Sequence, residues 1–206
     1  MGNTEIFDRI ARAYDNEQRI QIGKICAEEI RRVLGEVDTR EKQAIDFGCG
    51  TGLIGMEFLE DFHKVLFLDS SEQMIEVTKE KLRQLQTEKG EAICLNLEQE
   101  EAGGIRGDYI FIVQTLLHIS DTAEILEKLF RLLNPGGHLI IIDFNKQPAI
   151  NADNVHNGFE QETLRQELEQ VGFTEVVSRT FYQSEKLFMN MDASMFIMDG
   201  RKYQAV

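Results

Sequence analysis

Ile45-Asp46-Phe47-Gly48-Cys49-Gly50-Thr51-Gly52, residues 45–52, is the stretch that decides the fold. The apolar run before it predicts a first strand over 44–47, and a helix is predicted over 53–59. Between them stand three alternating glycines. Missing Cβ atoms let a backbone turn tightly and bring its N–H groups against a ligand. A helix that follows such a turn adds a positive dipole end, which suits a carboxylate or phosphate. In open parallel sheets ligands lie beyond the carboxyl ends of the strands, where this loop falls. Asp46 adds a negative charge there, which repels a phosphate and favours an ammonium or sulfonium group.

Working outward, strand-like and helix-like segments alternate, the pattern of an α/β domain with a mostly parallel sheet. Upstream, Ile6, Phe7, Ile10, Ala11 and Tyr14 form one apolar stripe, and Ile22, Cys26, Ile30, Val33 and Leu34 another. Downstream, strands are predicted over 64–68, 92–95, 109–113 and 139–143. Ser70 with Gln73 predicts a capping box for the helix after strand two, and Asp121 with Glu124 repeats that style. Residues 144–158 are polar and irregular, a length that predicts a lid or binding loop. A helix over 160–171 closes at Gly172, and strands over 174–178 and 195–198 finish the sheet. Residues 1–206 therefore read as a single domain, with a helical cap over 1–40, a ligand-binding core over 41–143, and a substrate loop with C-terminal strands over 144–206.

Composition limits the partners. The chain has 22 basic and 36 acidic residues, a formal net charge of −14. Nucleic-acid binding draws most of its strength from Lys and Arg on phosphates, so that class is disfavoured, as is an anionic membrane surface. No apolar run approaches the roughly 18 residues needed to cross a bilayer. The acidic N-terminus does not read as a secretory leader, and the expectation is a cytoplasmic monomer or homodimer. Cys26, Cys49 and Cys94 lie far apart without a C-x-x-C pair, which argues against a disulfide framework and structural zinc.

Asp69 ends strand two, 17 residues beyond Gly52. A carboxylate at that offset can accept hydrogen bonds from both hydroxyls of a ribose. Two carboxylates flanking one glycine loop at strand ends make a stronger signal than either alone.

These residues carry a family resemblance. Residues 46–52 resemble motif I of class I S-adenosylmethionine (SAM)-dependent methyltransferases, and Leu68-Asp69-Ser70-Ser71-Glu72-Gln73-Met74 is similar to their second motif. Leu133-Asn134-Pro135-Gly136-Gly137 resembles the turn entering their fifth strand. The opening Phe7-Asp8-Arg9-Ile10-Ala11-Arg12-Ala13-Tyr14-Asp15 is similar to the entry helix of the small-molecule branch related to quinone-biosynthesis enzymes. The resemblance implies a Rossmann-like fold: a mostly parallel seven-stranded sheet, helices on both faces, and an antiparallel last strand.

It also implies site roles for SAM and its product S-adenosylhomocysteine. Asp46 and the backbone of Gly48 and Gly50 would surround the methionine part, Asp69 would hold the ribose hydroxyls, and Cys49 and Ser70 would also contact the cofactor. Met74, Asn96 and Leu97 would contact the adenine; relatives often carry Asp where Asn96 stands, though its side-chain oxygen can accept the same bond. Gln114 would line the pocket near the sulfonium, and Tyr14 would cover it. His118, in Thr115-Leu116-Leu117-His118-Ile119, and His156 in the irregular loop are the acid–base candidates. Asp143 is placed to orient an acceptor or to cap strand five, while His63 and His138 read as structural.

The implied activity is methyl transfer from SAM to a small-molecule acceptor through an oxygen, nitrogen or carbon nucleophile. Such a reaction needs alignment and exclusion of water more than a metal or a covalent nucleophile, and none is expected. A non-catalytic SAM-binding sensor or partner subunit would carry the same donor motifs. A nicotinamide dehydrogenase is the weaker alternative: Gly50-Thr51-Gly52-Leu53-Ile54-Gly55 matches G-x-G-x-x-G, but Asp46 would crowd a pyrophosphate.

Overall fold

The structure is a computed structural model that describes residues 3–150 and 155–203. Helix α1 (Asn3–Ile10) passes through a 3-10 turn (Ala11–Ala13) to α2 (Glu17–Leu34), which Asn16 caps by accepting the Arg19 N–H. There follow β1 (Gln43–Phe47), β2 (Lys64–Asp69), α3 (Glu72–Leu85), β3 (Gly90–Cys94) and β4 (Gly107–Val113). The remaining elements are α4 (Thr122–Leu132), β5 (Leu133–Phe144), α5 (Gln161–Val171), β6 (Phe173–Phe188) and β7 (Met191–Lys202).

The strands form one sheet in the order β3-β2-β1-β4-β5-β7-β6. Pairing is parallel from β3 through β5, and β7 runs antiparallel to both β5 and β6. This is the expected Rossmann-like arrangement. Strand residues alternate between two apolar layers, because successive side chains point to opposite faces. Ala44, Phe67, Phe111, Ile140 and Ile142 pack beneath α2 and α3, while Ile45, Leu66, Ile110, Ile112 and Ile141 pack beneath α4 and α5. Both faces are covered, so the central strands read as continuous apolar runs.

Four local readings are corrected. The helix expected over 53–59 is only a 3-10 turn, Gly55–Phe58. Gly55 donates its N–H to Asp46 Oδ2 at 2.8 Å, and a Cβ on it would stand 2.4 Å from a ring carbon of the buried Phe67. That close approach, with glycines of low helix propensity, holds the segment tight to the sheet. The α3 cap is Ser71 rather than Ser70: its Oγ accepts the Met74 N–H and donates to Asp8 Oδ1 at 2.6 Å. The turn read at 134–137 is an excursion within β5, where pairing jumps from Gly107↔Leu133 to Tyr109↔His138. Finally β6 continues ten residues past its expected end, to Phe188, through several bulges.

Candidate functional site

The carboxyl ends of β1, β2 and β4 meet at the glycine loop. Gly48, Gly50 and Gly52 have φ of 67°, 53° and 80°, the left-handed region that glycine alone adopts without strain. Gly48 also has no room for a side chain, since a Cβ would stand 2.1 Å from Thr115 Cγ2. The loop is pinned from several sides. Gly48 and Cys49 donate their N–H groups to Leu68 O, and Gly50 donates to Asp69 Oδ2 at 2.8 Å. Thr78 Oγ1 donates to Gly50 O, and Lys81 reaches both Thr51 O and Asp15. The expectation that these amides face a ligand is thus modified: they are engaged within the protein.

Asp69 ties this structure together, accepting from Gly50 on one oxygen and from Ser71 N on the other. It stays half-buried, and burial raises its carboxyl pKa against the lowering effect of those amides. Asp46 is almost fully buried, and burial pushes its carboxyl up to about 7 despite the Gly55 amide.

These groups border a cleft of about 420 Å³. Of the expected site residues, Tyr14, Asp46, Gly48, Cys49, Gly50, Asp69, Ser70, Met74, Asn96, Leu97, Gln114 and His118 all line it. Met74 and Leu97 are buried and give it an apolar floor. Asn96 has its Oδ1 on Glu98 N at 3.1 Å, so the oxygen expected to meet an adenine amine also caps its own turn. Gln114 adopts φ 51°, strained for a non-glycine residue, and sends Nε2 to Met195 Sδ.

The two histidines separate. His118 lines the cleft at the end of a 3-10 turn (Leu116–His118), with the Phe7 ring edge-on at 5.1 Å. Burial, then the neighbouring His156, pull its pKa down to about 4, so it is neutral at pH 7. His156 is not among the residues lining the cleft: its Nε2 meets Ile119 O at 2.7 Å and its ring leans on Phe159. It staples residues 155–159 to the turn that bears His118. Asp143 is fully buried and accepts Leu117 N and Phe144 N, fixing that turn from beneath. It supports the site without facing an acceptor. His138 binds Asp199 and stacks on Tyr109, away from the cleft. The thiols of Cys26 and Cys49 are buried and driven upward, Cys26 to about 12.

The loop expected over 144–158 is not what overhangs the cleft. Apart from Phe144, its described residues do not line it, and 151–154 lie outside the described residues. The tip of the β6–β7 hairpin takes that place, contributing Lys186, Leu187, Met189 and Asn190. Sequence reasoning misses these because the turn has no glycine; Met189 and Asn190 adopt φ of 49° and 62° instead. Asn190 followed by Asp192, after an apolar run, is the signal that could mark a turn. Arg19 and Thr115 are missed as well. Arg19 lies 4.1 Å over the Tyr14 ring and donates to Tyr14 O.

Among the described residues no group of three metal-ligating side chains could hold a metal ion, and no helix is long and apolar enough to cross a membrane. Residues 45–139 match the family described as a methyltransferase domain. An uncharacterized methyltransferase of Schizosaccharomyces pombe is 31% identical over 120 residues, 54% of this chain and 42% of that protein. A demethylmenaquinone methyltransferase of Bacillus cereus is 28% identical over 152 residues, 71% of this chain and 63% of the relative. The matches thus span less than two thirds of either relative. A SAM-dependent methyltransferase structure from Aquifex aeolicus has a TM-score of 0.70 at 19% identity, covering 94% of this chain and 97% of that one. At that identity the likeness is one of fold.

Proposed function

We propose that the chain is a class I SAM-dependent methyltransferase whose cleft binds SAM and that it methylates a small molecule, a reading supported by the methyltransferase-domain match over residues 45–139. One observation carries the reading. Two carboxylates, Asp46 and Asp69, flank a glycine-rich loop that lines a cleft together with the apolar Met74 and Leu97. The residues fit the cofactor on the chain's own geometry. Gly48 and Gly50 hold left-handed backbone that leaves the cleft wall there without side chains, and Asp69 keeps lone pairs beyond the two amides it accepts.

When bound, SAM supplies a methyl group on a positively charged sulfur that leaves as a neutral thioether. The chain's residues do the rest. Asp69 receives the ribose hydroxyls, Met74 and Leu97 pack the adenine, and Asp46 faces the amino group. A cation beside Asp46 favours its ionised form, so a carboxyl near 7 without ligand becomes a carboxylate with it. Phe7 and Tyr14, on the N-terminal segment, exclude water from above. Neutral His118 can accept a proton or hydrogen bond from the acceptor. Asp8 on Ser71 and Asp15 on Lys81 hold the covering helices down.

The test is methyl transfer from labelled SAM across a panel of hydroxy, amino and quinol acceptors, alongside calorimetric titration with NAD. Label in one acceptor class, reduced by His118→Ala with SAM affinity retained, supports both the reading and the His118 role. NAD binding without SAM binding overturns the reading.

A further inference from the structure

The charges lining the cleft are segregated. Asp46, Asp69 and Glu98 stand at or beyond the strand ends, whereas Arg19 and Lys186 stand on the covering elements. Arg19 is engaged with Tyr14, holding the entry segment. Lys186 differs. In a chain of net charge −14, lysines such as Lys64, Lys79, Lys81, Lys89 and Lys128 each pair with a carboxylate. Among the described residues no ion pair involves Lys186, as none involves Lys24, Lys146 or Lys202, but of these four only Lys186 lines the cleft; its backbone N–H binds Asp192 Oδ1 at 3.0 Å.

The tip that carries Lys186 is built to stay in place. Lys186, Met189 and Asn190 all hold left-handed backbone, a strain that persists only where surroundings enforce it. Gln147 Nε2 grips Asp192 O at 2.7 Å, and Phe188 stacks on Phe144 with ring centres 4.3 Å apart. Between tip and α2 the lining includes an apolar wall, Ile22, Cys26, Phe144, Leu187 and Met189, beside the polar Gln18 and Asn190. A polar acceptor body would leave hydrogen-bonding groups unpaired against that wall.

Resting on the methyltransfer reading, we propose that the acceptor is an apolar molecule bearing one anionic group, a carboxylate or a phosphate, and that Lys186 recognises the anion. The apolar body lies along α2 and the hairpin tip. Because Lys186 is exposed, the ion pair contributes severalfold in affinity rather than orders of magnitude.

The experiment titrates octanoate, octyl phosphate and octanol into the chain loaded with S-adenosylhomocysteine, for wild type and Lys186→Gln. The expected result is that an anionic probe binds wild type about fivefold tighter than octanol, and that Lys186→Gln removes this preference while leaving octanol unchanged. The stronger of the two anions identifies carboxylate or phosphate. Equal binding of octanol and both anions, or a preference that survives in Lys186→Gln, overturns the inference while methyl transfer stands. Failure of S-adenosylhomocysteine itself to bind overturns the methyltransfer reading and this inference with it.

Discussion

The floor of the cleft and its roof are built by different means. The floor, at the ends of β1, β2 and β4, is fixed by backbone requirements: three left-handed glycines and carboxylates accepting backbone amides. The roof, made of the N-terminal segment and the β6–β7 hairpin tip, is fixed by side-chain pairs distant in sequence, such as Asp8 with Ser71 and Phe144 with Phe188. A floor built that way tolerates almost no substitution and suits one constant cofactor. A roof built by replaceable side chains can be refitted to a new acceptor without disturbing the floor.

The largest expected effect is on the floor. Gly48→Ala places a methyl within the Thr115 side chain and forces an alanine to φ 67°. It should cost about 3 kcal/mol or more and abolish S-adenosylhomocysteine binding. Chemical denaturation and calorimetry read both. Retained binding with wild-type stability would show that the floor is not the rigid half.

Next comes the pH dependence of stability. Asp46 and Asp143 both sit near 7 in the folded chain, above the ordinary carboxylate range, because burial disfavours their charged forms. Between about 4 and 7 the folded state therefore binds more protons than the unfolded state, so these groups make stability fall as pH rises through that window. Asp46→Asn should raise the melting temperature at pH 8, do little at pH 4, and weaken SAM binding. A uniform gain across pH would contradict the buried-carboxylate account.

A smaller effect is expected where the roof is anchored. Glu29 on α2, buried, pairs with both Arg32 and Arg179, and Arg179 lies on β6. Arg179→Ala leaves Glu29 with one partner and should cost about 1 kcal/mol, since Arg179 is itself half exposed. Donor affinity should change little while acceptor KM rises. A loss of donor affinity equal to the loss for the acceptor would mean floor and roof are not separable.

The same division explains what is legible in the sequence. Alternating glycines after an apolar strand, and acids at two strand ends, have few uses, so the residue pattern alone places Asp46, Gly48, Gly50 and Asp69 at the site. The parallel sheet follows from the alternation of elements. His156 escapes such reasoning because a histidine in a polar loop looks the same whether it faces an acceptor or binds Ile119 O. The hairpin tip is hidden because Met189 and Asn190 turn the chain without glycine, and because residues 181–188 do not keep the strict alternation of a half-buried strand. The 3-10 turn at Gly55–Phe58 reads as a helix because the close approach of Phe67 depends on tertiary packing alone.

The central claim is that Asp69 binds a ribose at the cleft floor, and calorimetric titration of S-adenosylhomocysteine into wild type, Asp69→Asn and Asp69→Ala tests it most directly. Two charge-assisted bonds are at stake, so Asp69→Ala should lose about a hundredfold in affinity, with Asp69→Asn between it and wild type. Affinity in Asp69→Ala equal to that of wild type would contradict the account.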